Sequence, residues 1–237
     1  KLDDIENEIA KLRGEIVESR KIEENVKISQ IDKLAKFVFD GKIDKFGKKF
    51  QDGTRKWFFD KFKEWIDDKK SRVMILTAGP GAGKSVLSAK ICELHKNSGQ
   101  LAACHFCDFR TSDSRDPRRI LQSLASQMCV NVCGFREKLT EVLYREHSRD
   151  SLSDTFRVLL NDPLHALDRS EATLIVLDAL DESKTASKSD FLELISEKFP
   201  QLPKWIKIFT TSRPELQVKK KLEHLHPIEI LPDNIQQ

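Results

Sequence analysis

The stretch Thr77-Ala78-Gly79-Pro80-Gly81-Ala82-Gly83-Lys84-Ser85 constrains this chain more than any other. It follows Arg72-Val73-Met74-Ile75-Leu76, a short apolar run that reads as a buried strand. It precedes Val86-Leu87-Ser88-Ala89-Lys90-Ile91-Cys92-Glu93-Leu94, whose apolar positions fall at helical spacing. A strand, a glycine-rich turn and a helix whose first turn carries Lys-Ser form the setting of a phosphate-binding P-loop. The glycines let backbone N–H groups turn inward on phosphate oxygens, and the helix N-terminus adds partial positive charge. In this reading Ala78, Gly79, Pro80, Gly81, Ala82, Gly83, Lys84, Ser85 and Val86 surround the phosphates of a nucleotide. Lys84 reaches the β- and γ-phosphates and the Ser85 hydroxyl sits on Mg²⁺. Ala78 stands where the strict pattern has glycine, and a residue that small still fits. The bland alternative is a chance glycine-rich turn, against which the flanking strand and helix both weigh.

A second stretch, Thr173-Leu174-Ile175-Val176-Leu177-Asp178-Ala179-Leu180-Asp181-Glu182, is a continuous apolar strand ending in an aspartate. Downstream of a P-loop this is a Walker B strand, which brings the Asp178 carboxylate beside the metal at the C-terminal edge of a parallel sheet. Asp181 and Glu182 follow closely enough to orient or deprotonate an attacking water, or merely to cap the next turn. Further on, Ile206-Lys207-Ile208-Phe209-Thr210-Thr211 reads as a strand ending in Ser212-Arg213-Pro214. Arg213 there can sense a γ-phosphate, or be a surface arginine before a proline-started helix. No Asn-Lys-x-Asp stretch that would read guanine occurs, which favours ATP over GTP.

The rest of the chain supplies helices around these strands. Residues 1 to about 40 read as helical, with Leu2, Ile5, Ile9, Leu12 and Ile16 at heptad-like spacing before the seam breaks at Ser19 and Glu23. A coiled coil usually needs about three to four sustained heptads, so a helix packed on the main body and a self-associating helix both stay open. Val26, Ile31, Leu34 and Val38 could carry a second helix. Thr54 is a candidate N-cap for a helix bearing Trp57, Phe58, Phe62, Trp65 and Ile66 on one side. Its Gly53-Thr54-Arg55 start either closes the core edge or lies over a nucleotide base. Asp113 to Pro117 is a turn with a helix start, and helices are expected over Arg118–Val130, 135–147, 152–168 and Lys188–Phe199, with a last strand over 226–231.

The 237 residues accommodate one large α/β domain plus a helical segment, divided as a helical lead-in over 1–48 and a nucleotide-binding domain over 49–237. A net charge of +3 gives no global sign of nucleic-acid or membrane binding, and no apolar run reaches the ~20 residues of a membrane span. The charged opening Lys1-Leu2-Asp3-Asp4 does not read as a secretory leader, and the missing initial Met suggests a piece of a longer protein. Cys104-His105-Phe106-Cys107 is the only C-x-x-C among five cysteines. It lies in an apolar strand with no second half-site, so buried thiols of a cytoplasmic protein are expected rather than zinc.

Taken together, these stretches resemble the NACHT class of signal-transducing P-loop ATPases (the STAND class), from about Asp52 to Leu231. Gly53-Thr54-Arg55-Lys56-Trp57 is similar to the segment that covers adenine, which would add Thr54 and Arg55 to the nucleotide site. His105-Phe106, Arg115 and Leu121 to Gln127 resemble the second strand and following helix; Asp178-Ala179-Leu180-Asp181-Glu182 has the class's Walker B form; and Thr210-Thr211-Ser212-Arg213-Pro214 looks like its sensor 1. The resemblance implies a five-stranded parallel sheet of order 5-1-4-3-2 between two helix layers. It also implies an ATP/ADP-controlled switch in signal transduction, including innate immunity, with self-association in the full-length protein and with sensor repeats and an effector domain outside this piece.

The leading expectation is an ATP-binding switch with slow hydrolysis: Lys84 and the loop amides on the phosphates, Ser85 and Asp178 on Mg²⁺, Asp181 or Glu182 on water, and Arg213 on the γ-phosphate. Its rivals are a constitutive ATPase or kinase on the same fold, for which no acceptor site is visible, and a scaffold with a vestigial site, against which the intact Lys84, Ser85 and acids argue.

Overall fold

Four runs of the chain are buried at every residue: β1 (Val73–Thr77), β2 (Leu101–Phe106), β3 (Thr173–Asp178) and β4 (Ile206–Ser212). Apolar residues without alternation suit strands covered by helices on both faces, which is how parallel sheets are built. A computed structural model describes residues 2–144, 151–183 and 190–230, and it pairs these strands in parallel in the order β2-β3-β4-β1. The α/β class and this parallel order agree with the sequence. The fifth position is filled by a segment of three residues, β5 (Ile228–Ile230), hydrogen-bonded in parallel along the free edge of β1.

The helices, in chain order, are α1 (Leu2–Asp32), α2 (Asp40–Gly47), α3 (Lys56–Asp67), α4 (Lys84–Asn97), α5 (Pro117–Asn131), α6 (Phe135–Tyr144), α7 (Leu152–Phe156), α8 (Asp162–His165), α9 (Asp190–Glu197) and α10 (Leu216–Leu222). One core takes α5, α6, α9 and α10 against one face of the sheet and includes Ile31 and Leu34 from the end of α1. On the opposite face, α2, α3 and α4 close over a second core rich in aromatic rings, where Phe58 and Phe62 lie 6.0 and 5.5 Å from Phe209. Among the described residues no helix is long and apolar enough to cross a membrane.

Several local expectations change. Helix α1 ends at Asp32 and no second helix runs through Leu34 and Val38: residues 35–39 are non-helical, and Val38 is 81% exposed. Side chains of α5 hold the backbone of this stretch instead: the Ala35 N–H donates to Gln122 Oε1 (3.0 Å) and the Phe37 N–H to Ser123 Oγ (3.2 Å). Helix α3 is not capped by Thr54, whose hydroxyl instead donates to the Gln51 carbonyl (2.6 Å); Arg55 holds the N-cap position at φ +57°. The helix expected over 152–168 is interrupted by a π turn at Arg157–Asn161, beside Pro163, which has no N–H to donate to the carbonyl four residues back and whose ring crowds it. Asp116 does cap α5, accepting from the Arg118 N–H (2.9 Å) ahead of Pro117. Residues 145–150, 184–189 and 231, where parts of other expected elements fall, lie outside the described residues.

Strand β2 is the far edge of the sheet, and α5 closes it with side chains. Gln127 accepts from the Cys104 N–H and donates to the Cys104 carbonyl (both 2.9 Å), and Asn131 donates to the Ala102 carbonyl (3.1 Å). Next to them His105 is wholly buried, with its Nε2 on the Ser114 carbonyl (2.8 Å) and the rings of Phe37 and Phe39 edge-on at 5.3 Å. Burial lowers its pKa to about 4, so the ring stays neutral. At the other end of the sheet the buried Lys207 ammonium donates to the carbonyls of Trp65 (2.9 Å), Ser71 (2.7 Å) and Asp68, locking the end of α3 to the start of β1. Burial lowers the Lys207 pKa as well.

Two outcomes follow. Lys207→Met keeps the side-chain bulk but leaves three carbonyls without their cation, and should cost about 2–4 kcal/mol in urea unfolding. Between pH ~6.5 and ~4 the unfolded chain binds a proton at His105 that the folded chain refuses, so this residue makes stability fall as pH drops through that window. His105→Gln, which keeps a donor toward Ser114, should show a shallower loss of stability over that range than the wild type.

Candidate nucleotide site

The C-terminal ends of β1, β3 and β4 lie side by side, with Thr77 opposite Ser212 and Leu177 opposite Thr210. The loop leaving β1 turns back at Gly81 (φ +77°) and Gly83 (φ +76°), conformations that side chains with a Cβ rarely adopt. Gly83 is the N-cap of α4 and makes no side-chain cap bond, so no cap side chain occupies the helix's first N–H groups. Lys84 opens the helix and folds back over the loop, its ammonium donating to the carbonyls of Ala78 (2.6 Å) and Gly79 (2.9 Å). Burial lowers its pKa, while the nearby charges of Asp181 and Asp178 act in the opposite sense.

Asp178, 2% exposed at the end of β3, is where the site converges. Its Oδ2 accepts from the Ser85 hydroxyl (2.6 Å), and its Oδ1 accepts from Ser88 (2.7 Å) and Thr211 (2.8 Å). Thr211 in turn accepts from the Ala179 N–H (2.9 Å), with Ala179 held at φ +57°. One carboxylate thus ties β3 to the first two turns of α4 and to the end of β4. Ser85 and Asp178 are the pair expected from sequence to meet a metal. Among the described residues no group of three or more His, Cys, Asp or Glu could hold one.

Beyond Asp178 the chain makes a short 3₁₀ turn (Leu180–Ser183) that presents both expected acids. Asp181 accepts from the Arg213 N–H (2.9 Å), and the Arg213 Nε lies 3.3 Å from its other oxygen. Glu182 lies 3.5 Å from Arg213 Nη2 and accepts from the Phe109 N–H (3.3 Å), which joins the loop after β2 to the turn. The Asp181 side chain is 4% exposed, whereas Arg213 is 49% exposed and reaches it from the solvent side.

Arg55 approaches the loop from the other flank. Its guanidinium donates to the carbonyls of Ala82 (2.8 Å) and Gly83 (3.4 Å), and burial lowers its pKa. A Cβ at Gly83 would come within 2.9 Å of the Arg55 guanidinium, so that glycine also makes room for the arginine. Between them lies a cavity of about 250 Å³ lined by Phe50, Gln51, Thr54, Arg55, Gly83 and Val86.

The sequence-expected residues therefore gather on one sheet edge: Ala78 to Val86, Thr54, Arg55, Asp178, Asp181, Glu182 and Arg213. Ser88 is not among the residues expected from sequence, and Thr211 is expected only as part of the sensor-1-like run, with no role on Asp178. The signal for Ser88 was its place one helical turn after Ser85; that for Thr211 was its place two residues before Arg213 on the strand between β1 and β3. Cys104 and Cys107 are both buried, and burial pushes the Cys107 thiol pKa up.

The family model described as Nephrocystin 3, N-terminal matches residues 53–213, more than half of the chain and nearly all of the elements just described. The chain belongs to that family; the match is to this family and not to a NACHT model. Among curated proteins none matches the chain.

Thr211→Val removes one hydroxyl from Asp178 and the acceptor of the Ala179 N–H. It should cost about 1–3 kcal/mol of stability by thermal unfolding, and should weaken Mg²⁺-dependent nucleotide binding more than binding measured in a chelator.

Proposed function

We propose that this member of the Nephrocystin 3 N-terminal family is an ATP-binding switch module of a larger intracellular signalling protein, NACHT-like in its site. In this reading slow Mg²⁺-dependent hydrolysis sets its conformational state. The observation that carries the reading is the convergence on Asp178. A P-loop hydroxyl, a helix hydroxyl and a strand hydroxyl fix one carboxylate at 2.6–2.8 Å beneath an uncapped helix N-terminus. That pairing of a hydroxyl and a single carboxylate suits Mg²⁺, which keeps water and phosphate oxygens for its remaining positions and needs no all-protein cage.

Each basic group has a task in this reading. The Lys84 ammonium exchanges the carbonyls of Ala78 and Gly79 for β- and γ-phosphate oxygens, a stronger charge-assisted pairing. The first N–H groups of α4 and the backbone of Gly79 to Gly83 take the remaining phosphate oxygens. The cavity beside Thr54 and Arg55 receives the adenine, bordered by Val86 and Phe50. When bound, Mg²⁺ neutralises phosphate charge and orients the terminal phosphoryl group. Arg213 senses that group and on doing so loosens its hold on Asp181 and Glu182, which then orient the attacking water. Because Asp181 is engaged by the Arg213 backbone and side chain until then, hydrolysis is slow. A long-lived ATP state is what a switch requires. The module is placed in the cytoplasm, with self-association, sensor repeats and an effector belonging to the longer protein.

Calorimetry with ATP and ADP, with and without Mg²⁺, tests this on the chain and on Lys84→Ala. Binding that Lys84→Ala weakens by about 10- to 150-fold, the worth of a hydrogen bond to a charged group, with turnover well below ~10 s⁻¹, is the expected result. No binding by a folded chain, or binding indifferent to Lys84→Ala, would sink the proposal.

A further inference from the structure

We propose that α1 pairs with α1 of a second copy of this chain as a short, parallel, two-stranded coiled coil. The helix docks on the body by its C-terminal end, where Ile31 is 2% exposed. Farther toward its start Ile9, Leu12 and Ile16 are 44%, 53% and 52% exposed, although they form a single stripe at alternating four- and three-residue spacing. Leu2 and Ile5 extend the same spacing in the sequence. An exposed stripe of this period is the seam of a supercoiled pair, and β-branched residues at the first seam position with leucine at the second favour two strands. Here Ile9 and Ile16 take the first position and Leu12 the second, whereas Leu2 and Ile5 occupy the two positions in the opposite order.

The flanking charges identify the occupant. With Ile9 at the first position, Glu8 and Glu15 precede the seam and Arg13 and Arg20 follow it, at the positions that face each other across a two-stranded coil. All four residues are exposed. In a parallel pair Glu8 meets Arg13 of the second copy and Glu15 meets its Arg20, twice over by symmetry. An antiparallel pair that matches Ile9 with Leu12 would instead oppose Glu8 with Glu15, like charge against like. The helix is thus complementary to itself in one orientation. The seam ends at Ser19, so the contact is short and its affinity weak.

Analytical ultracentrifugation of the whole chain is the test, up to a concentration of about 100 μM, above the micromolar dissociation constant of a weak contact. A reversible monomer–dimer equilibrium is expected. Glu8→Arg/Glu15→Arg and Arg13→Glu/Arg20→Glu should each weaken it at least about tenfold, as like charges then face each other in either homodimer. An equimolar mixture of the two should regain the dimer. Leu12→Asn should abolish it, and circular dichroism checks that every variant keeps its helix content. Ser19→Cys in a Cys133→Ser background should cross-link to itself on mild oxidation, because a parallel pair sets the two thiols face to face, whereas an antiparallel pair separates them by about 25 Å. A chain that stays monomeric, charge variants that associate like the wild type, a higher oligomer, or a Ser19→Cys chain that does not cross-link would each overturn the proposal.

Discussion

The carboxylate of Asp178 sets the geometry on which the rest of the site depends. It is nearly solvent-free, and its charge is tolerated there because Ser85, Ser88 and Thr211 all donate to it. Those three hydroxyls come from two turns of α4 and from β4, so holding the charge also fixes where the P-loop helix meets the sheet. The parallel order of β3, β4 and β1 makes this possible, because it aligns the strand ends from which Asp178, Thr211 and the loop depart. Ala179 at φ +57° accepts backbone strain in order to present its N–H to Thr211 and to turn the chain toward Asp181.

Cations distinguish the two ends of the sheet. At the N-terminal end Lys207 and Arg72 are surrounded by backbone carbonyls, Arg72 donating to Pro200 (3.0 Å) and Pro203 (3.1 Å), and their work is to join segments. At the C-terminal end Arg55 and Lys84 also rest on carbonyls, those of the loop after β1, and Arg213 on two carboxylates of the turn after β3; in the proposed reading phosphate replaces these partners. Any anion that enters must displace those internal bonds, so part of the intrinsic binding energy goes into releasing Lys84 and Arg213. In the proposed reading that exchange would report occupancy, since the Asp181 and Glu182 turn is held by Arg213 and, through Phe109, by the loop after β2.

What the sequence disclosed depended on whether a residue's role is local. Strand β1 with its glycine turn and α4, and strand β3 ending in Asp178, were legible because each is a contiguous run whose residue types follow from backbone geometry. The α/β class followed from them, and the parallel strand order from the resemblance to the NACHT class. Ser88, Thr211 and Lys207 were not legible, because each acts on partners far away in the chain, and a serine, threonine or lysine carries no sign of what it will face. The helix ends failed for a different reason. Thr54 has the composition of a cap, but its hydroxyl finds the Gln51 carbonyl first, and Arg55 is drawn to the loop at Ala82 and Gly83. Leu34 and Val38 stand at helical spacing, whereas the ties of Ala35 and Phe37 to Gln122 and Ser123 hold that backbone out of a helix.

That non-helical segment links α1 to the rest of the molecule. From the buried Ile31 and Leu34 the chain passes along α5, and Phe37 and Phe39 pack their rings on His105 at the end of β2. His105 holds the Ser114 carbonyl, the Ser114 hydroxyl bonds the backbone around Asp108, and the adjoining Phe109 N–H reaches Glu182. Helix α1 and the acidic turn are therefore joined by contiguous contacts through one sheet edge. Such continuity transmits a change only if some member has two stable arrangements. In the proposed reading that member is the Asp181–Glu182 turn, which the half-exposed Arg213 holds and would release to meet a phosphate, while His105, neutral and enclosed, holds the Ser114 carbonyl.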